Sequence, residues 1–156
     1  MELVFKPATD ADLPFARALT RRAMMPYYTR HGLLWRDQDF DEGWSWRENY
    51  LLQRGGEAVG FVSLSADARA LYIRELHLLE PARGQGTGAA VLDHAAALGA
   101  QRGLPLLRLM VFKDNPAQKL YTRKGLRIVG DDPCFWRMER SLSRVFTEPE
   151  QGQARP

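Results

Sequence analysis

The run Arg83-Gly84-Gln85-Gly86-Thr87-Gly88 lies between an apolar, strand-like segment and a segment of helical periodicity. Three glycines at a strand-to-helix junction narrow what the chain can build there. The first backbone N–H groups of a helix have no partners within it, and the helix dipole favours negative charge. Glycine lets an anion approach the backbone closely and accepts positive φ. Arg83 adds a fixed charge at the rim. A diphosphate suits such a loop.

The segments around the loop read as alternating elements. Leu3-Val4-Phe5 is a short strand, stopped by Pro7. Thr9-Asp10-Ala11-Asp12 has capping-box spacing, and Asp12 is an alternative cap because Pro14 fits only a first turn. Leu13, Ala16, Leu19 and Ala23 follow at helical spacing, in a helix expected to end before Pro26. A second helix is expected from about Asp41 to Tyr50. Strands over Tyr50–Arg54 and Ala58–Ser65 flank Gly55-Gly56, a hairpin signal. Asp67-Ala68-Arg69 turns the chain into a third strand, Ala70–Leu79.

From Gly86 to Arg102 a helix carries one apolar stripe through Gly88, Val91, Leu92, Ala95, Leu98 and Gly99, and Gly103 closes it. Leu106–Phe112 is a strand. Asn115 as N-cap and Pro116 at the first position open a short helix that Gly125 ends. Leu126–Val129 and Cys134–Leu142 are the last strands, on either side of the turn Gly130-Asp131-Asp132-Pro133. The order is β-α-α-β-β-β-α-β-α-β-β. It predicts an α/β (α+β) fold with a mixed, mostly antiparallel sheet of about six or seven strands and helices on both faces. The βαβ unit around the glycine loop should cross over right-handed.

With 156 residues, one domain over residues 1–147 is expected. Residues 148–156 have no apolar periodicity and read as a disordered tail. No apolar run approaches the roughly 20 residues of a membrane span. The first residues lack the layout of a signal peptide. Lone Cys134 fits a reducing compartment, so a cytoplasmic protein with no membrane partner is expected. Cys134, beside Phe135 and Trp136, reads as inert packing rather than a nucleophile. His31, His77 and His94 are never at metal-ligand spacing, so no metal is expected. The net charge of +3 can draw in an anionic ligand, but no basic stripe suggests nucleic acid.

Three families own loops of this kind. A Walker loop needs a Lys-Ser/Thr pair that is absent here. Gly84, Gly86 and Ala89 satisfy a Rossmann fingerprint, but an antiparallel meander precedes them, and Asp114 is too distant for the ribose acid. Arg83-x-x-Gly86-x-Gly88 resembles the R/Q-x-x-G-x-G/A motif of the GNAT superfamily of N-acetyltransferases. Asn115-Pro116-Ala117-Gln118-Lys119-Leu120-Tyr121 with Lys124-Gly125-Leu126 is similar to the downstream N-x-A-x-x-L-Y-x-x-x-G-F pattern. Lys6-Pro7-Ala8-Thr9-x-x-Asp12-Leu13 also resembles family N-termini, and the element order agrees from about residue 3 to 142. Two departures stand out. Pro81 lies two residues before Arg83 where the family has proline three before, and Leu126 replaces an aromatic.

The resemblance implies acetyl-CoA as cofactor and a primary amine, on a small molecule or a peptide, as acceptor. Amides of Arg83, Gly84, Gly86, Thr87 and Gly88, within a loop completed by Gln85, would hold the pyrophosphate. Leu78 and Leu79 would pair with the pantetheine arm, the amide near Leu78 polarising the thioester carbonyl. Asn115 would approach the cofactor from the other side, or simply cap its helix. Tyr121 takes the family's general-acid position, since a phenol can give a proton to the leaving sulfur at neutral pH. Glu75 through a water, His77, or solvent would take the amine proton. Alternation places Ile73, Glu75, His77 and Leu79 on one face unless a bulge intervenes, and a Glu75–Arg108 salt bridge is the purely structural alternative. Tyr27, Tyr28, Trp35 and Trp44 belong to an aromatic, acidic stretch over residues 27–50. They would border the acceptor site or merely cover the sheet, and Asp37, Asp39, Asp41 and Glu42 would suit a cationic amine. A homodimer fits the family. The alternatives are a non-enzymatic CoA-binding module on the same fold and a Rossmann nucleotide-binding protein.

Overall fold

The structure, a computed structural model, describes residues 2–142. The tail expected to be disordered lies outside the described residues. Seven strands hydrogen-bond in the order β1-β2-β3-β4-β5-β7-β6 as a mixed, mostly antiparallel sheet. They are β1 (Val4–Pro7), β2 (Glu48–Arg54), β3 (Glu57–Ala66), β4 (Ala70–Leu78), β5 (Leu106–Phe112), β6 (Arg127–Asp131) and β7 (Phe135–Ser141). The helices are α1 (Leu13–Arg30), α2 (Asp37–Trp46), α3 (Thr87–Gln101) and α4 (Ala117–Arg123). The expected element order holds. The described residues form two compact units, residues 2–65 with Ile73–Val91, and Ala66–Tyr72 with residues 92–142.

In the first unit β1 pairs antiparallel with β2, and β2 with β3. Its core joins Ala16 and Leu19 of α1, Phe40 and Trp44 of α2, Leu51 of β2 and Phe61 of β3. Each large side chain fully buried there contributes roughly 1.5–3 kcal/mol. Arg17 donates through Nε and Nη2 to both Asp41 oxygens, at 2.8 and 2.9 Å, and so locks α1 to α2. Asn49 Nδ2 donates to the Trp44 carbonyl at 2.9 Å, and Ser63 Oγ donates to Asn49 Oδ1 at 2.7 Å. This side chain ties the end of α2 to β2 and β3.

In the second unit β7 lies between β5 and β6, antiparallel to both. Leu107, Leu109, Leu126, Met138 and Leu142 are buried. A Cβ built on Gly99 of α3 would fall 2.6 Å from Leu142 Cδ1 and 3.5 Å from Leu71 Cβ, so a larger residue there must push the Leu142 side chain aside. The turn before β7 is held by Asp132 Oδ1, which accepts the Cys134 and Phe135 amides at 2.9 and 2.7 Å.

Several boundaries correct the sequence reading. Helix α1 runs through Pro26 to Arg30. An interior proline costs about 3 kcal/mol. Beyond it, the His31 and Leu33 amides bond the Tyr27 and Tyr28 carbonyls at 3.0 and 2.8 Å, and the Tyr28 ring meets Trp35 edge-on at 5.6 Å. These contacts favour the extra turn. Helix α2 starts at Asp37, four residues before the expected Asp41, with Asp37 and Asp39 in its first turn where the dipole favours them. Tyr50 is therefore a strand residue. Pro7 belongs to β1, pairing with Tyr50 on a strand at the end of the sheet order, where a missing N–H is tolerated.

Candidate active site

The glycine loop forms where it was expected, as the lead into α3. Gly84 and Gly86 have φ of +74° and +77°, a region that side-chain-bearing residues rarely adopt, and open space lies where a Cβ would sit. Arg83, Gly84, Gln85 and Gly86 are exposed, while Thr87 is buried. Gln85 Nε2 donates to the Pro81 carbonyl at 2.8 Å and braces the loop from within. Arg54, at the end of β2, donates through Nη1 to Thr87 Oγ1. It brings a second cation to the start of α3. Its position gives no local sign of this, because the partner is 33 residues away.

Upstream of the loop, Arg83 Nε donates to the Leu78 carbonyl at 3.2 Å. The Leu79 amide donates to Val59 at 2.8 Å, and the Leu79 carbonyl accepts from Ala82 at 2.9 Å. Leu79 therefore has both backbone groups engaged within the chain, and its side chain packs on the first unit's core. Strands β3 and β4 approach closely here. A Cβ on Gly60 would lie 2.3 Å from the His77 carbonyl oxygen.

Glu75 and His77 of β4 meet directly. Their Oε1 and Nε2 atoms are 2.8 Å apart, and since an ionised carboxylate only accepts, His77 Nε2 carries the donated hydrogen. The His77 side chain is 9 % exposed and that of Glu75 23 %, so Glu75 is the member that water reaches. The His77 ring packs against Phe61 at a 43° tilt, with centroids 5.7 Å apart. The other Glu75 oxygen, Oε2, lies 3.7 Å from Arg47 Nη1. Arg108 pairs with Glu139, directly across the β5–β7 register, at 2.9 Å, and donates to the Tyr72 hydroxyl at 3.2 Å. Consecutive Arg74 and Glu75 both reach the Trp46-Arg47 pair, so strict alternation is broken at this point of β4.

The aromatic stretch divides by burial. Trp44 is 7 % exposed and packs against Phe40 and Phe61. Trp35 and Tyr28 are half-buried. Burial first, then Glu75 and then Asp39, raise the Tyr28 phenol above its ordinary pKa. Tyr27 is half-buried under the Arg30 guanidinium, 4.7 Å from its ring. Two of the four acids are committed elsewhere. Asp37 accepts Trp35 Nε1 at 2.7 Å and lies 3.8 Å from Arg21, and Asp41 is held by Arg17.

In the second unit, Asn115 Oδ1 accepts the Ala117 amide at 2.9 Å, the reach of an N-cap side chain to the second helical residue. Regular helix begins one residue later than expected, at Ala117. Tyr121 sits in the middle of α4, half-buried, and its carbonyl accepts the Leu126 amide at 3.0 Å. Cys134 is half-buried. Among the described residues no helix is long and apolar enough to cross a membrane.

Comparison with known proteins places this geometry in a class. Residues 17–126 match the Acetyltransferase (GNAT) family, and the chain belongs to that family of acetyltransferases. It is 36 % identical over 94 residues to a mycothiol acetyltransferase of Jonesia denitrificans. The match covers 58 % of this chain and 26 % of that protein, so the chain spans about a quarter of the curated relative's length. In fold it is similar to the PaiA N-acetyltransferase of Thermoplasma acidophilum in complex with coenzyme A. The TM-score is 0.71 at 17 % identity, over 90 % of this chain and 99 % of that one. A GNAT family acetyltransferase of Elizabethkingia anophelis with acetyl-CoA bound gives a TM-score of 0.67 at 17 % identity, over 89 % and 97 % of the two chains. The mostly antiparallel sheet is not the doubly wound parallel sheet of a Rossmann protein.

Proposed function

We propose that the chain moves an acetyl group from acetyl-CoA to a primary amine by direct attack in a ternary complex. The observation that carries this is the loop of residues 83–88. Two positive-φ glycines lead an exposed backbone into the N-terminus of α3, with Arg83 and Arg54 beside it. Family membership makes CoA the diphosphate-bearing guest. Amides of Arg83, Gly84, Gly86, Thr87 and Gly88 bind the pyrophosphate. Leu78 and Leu79 pair with the pantetheine arm, and the Leu78 amide polarises the thioester.

The incoming amine must lose a proton, and the developing oxyanion and departing thiolate must each be stabilised. Glu75 takes the proton through a water, because it is the more exposed of the hydrogen-bonded pair. His77 fixes its orientation through Oε1. The Leu78 amide stabilises the oxyanion. Tyr121 protonates the thiolate as it leaves, a role resting on its place in the family motif. Tyr28 and Trp35 line the acceptor side.

Thermal denaturation with CoA or NAD tests the reading, since a ligand that binds only the native state raises stability by mass action. CoA should raise the melting temperature and NAD should not. Stabilisation by NAD alone would overturn the assignment. Stabilisation by CoA with no thiol release from acetyl-CoA across a wide amine panel would favour a non-enzymatic CoA-binding module.

A further inference from the structure

The acids of the aromatic stretch suggest a cationic acceptor, but two of the four are already paired. Asp41 is closed off by a two-point contact with Arg17, and Asp37 is held by Trp35 Nε1 and Arg21. Beside Glu75 the charge that accumulates is positive. Arg47 lies over the Trp46 ring at 5.2 Å, and Arg74 reaches the same ring at 6.0 Å. Trp46 itself is 58 % exposed, large for a tryptophan. Arg74 is aimed by Ser65 Oγ, which accepts its Nε hydrogen at 2.8 Å.

Arg47 is the unusual member. Its Nε is buried and has no hydrogen-bond partner. A buried N–H left unmet is costly, more so on a charged group. Two guanidiniums sharing one aromatic ring also repel each other. That repulsion falls if an anion docks between the two guanidiniums. Arg47 Nη1 is 3.7 Å from Glu75 Oε2, so a positive and a negative group stand side by side at the proposed base. An α-amino acid carries an amine and a carboxylate on one carbon, which complements such a pair.

We infer that the acceptor is an amine bearing an adjacent carboxylate, with Arg47 and Arg74 holding the carboxylate over Trp46 while the nitrogen faces Glu75. This deepens the acetyl-transfer reading and rests on it for the role of the nitrogen. It disfavours polyamines and protein N-termini, which lack the neighbouring carboxylate.

The test uses matched pairs: L-phenylalanine against 2-phenylethylamine, L-leucine against 3-methylbutylamine and L-lysine against cadaverine, with spermidine added. Binding to the CoA-saturated protein is measured by calorimetry, and acetylation by thiol release. In at least one pair the carboxylate-bearing member should bind at least about 10-fold more tightly, as charge-assisted hydrogen bonds require. Arg74→Gln should erase the preference without changing CoA binding. Arg47→Gln should do the same, and Arg47→Lys should restore part of it. Since Arg47 is partly buried, exposed Arg74 keeps the test open if Arg47→Gln fails to fold. Equal or reversed binding within every pair, or no binding by any member, overturns the inference. Acetylation of spermidine or 2-phenylethylamine in that event leaves the transferase reading standing. A preference for the carboxylate in binding, with no acetyl transfer to any member, sinks the transferase reading and leaves the anion site standing.

Discussion

His77 Nε2 lies 2.8 Å from Glu75 Oε1, two positions apart on β4, in a strand whose alternation breaks at Arg74 and Glu75. Sequence reasoning offers the two residues as rival bases. The structure makes them one hydrogen-bonded unit, with Arg47 on the carboxylate's other oxygen.

If Glu75 takes the proton, Glu75→Gln should lower kcat/KM about 100-fold, the usual worth of a positioned base. KM for acetyl-CoA should stay unchanged. His77→Asn should cost less and should move the pH profile rather than abolish activity. A Glu75→Gln enzyme with wild-type kcat/KM at neutral pH would point to solvent as the base.

Gly86 has φ of +77°, so Gly86→Val forces a branched side chain into strained backbone and fills the open approach to the loop. Calorimetry should show CoA affinity falling at least about 10-fold. Arg54→Gln should weaken CoA by a smaller factor, through the loss of one charge and of the contact with Thr87. Unchanged CoA affinity in Gly86→Val would place the cofactor elsewhere.

Tyr121→Phe keeps the ring and removes the proton. It should lower kcat about 100-fold with KM values unchanged, and the loss should shrink with acyl donors whose leaving thiol is more acidic. Loss of fold rather than of kcat, seen as a fallen melting temperature without CoA, would mark Tyr121 as packing only.

Asp132 holds the turn before β7, and the Phe135 and Cys134 amides keep its carboxyl below the ordinary range. A folded-state pKa held below the unfolded one contributes stability that is complete above the ordinary carboxylate range. It is lost as pH falls through the depressed value. Asp132→Asn should therefore lower the melting temperature near neutrality and leave a smaller difference from wild type in acid. A difference that grows on acidification would contradict the sign.

The glycine loop was legible because positive φ, an exposed backbone and a helix start all register within six consecutive residues. The cap on α4 was legible for the same reason, since Asn115 reaches only two residues along the chain. What escaped is tertiary. Arg47 meets Glu75, 28 positions further along the chain, and Arg54 meets Thr87, 33 positions further along. Neither spacing has a local period. Helix α2 was misplaced because Trp44, Trp46 and Tyr50 continue its apolar pattern into β2, where Asn49 bonds the Trp44 carbonyl and the helix has already stopped. Pro26 misled for a related reason. Its local cost is real, and contacts beyond the proline outweigh it.

Mass spectrometry reads acetyl transfer at the 83–88 loop without an intermediate assay. The protein is incubated with acetyl-CoA carrying an isotopically labelled acetyl group and with a mixture of primary amines. One labelled acetyl group should appear on an amine nitrogen for each free CoA released, with no transfer by Gly86→Val. Tightly bound acetyl-CoA that stays intact, with no labelled amine in any mixture, would contradict acetyl transfer at this loop.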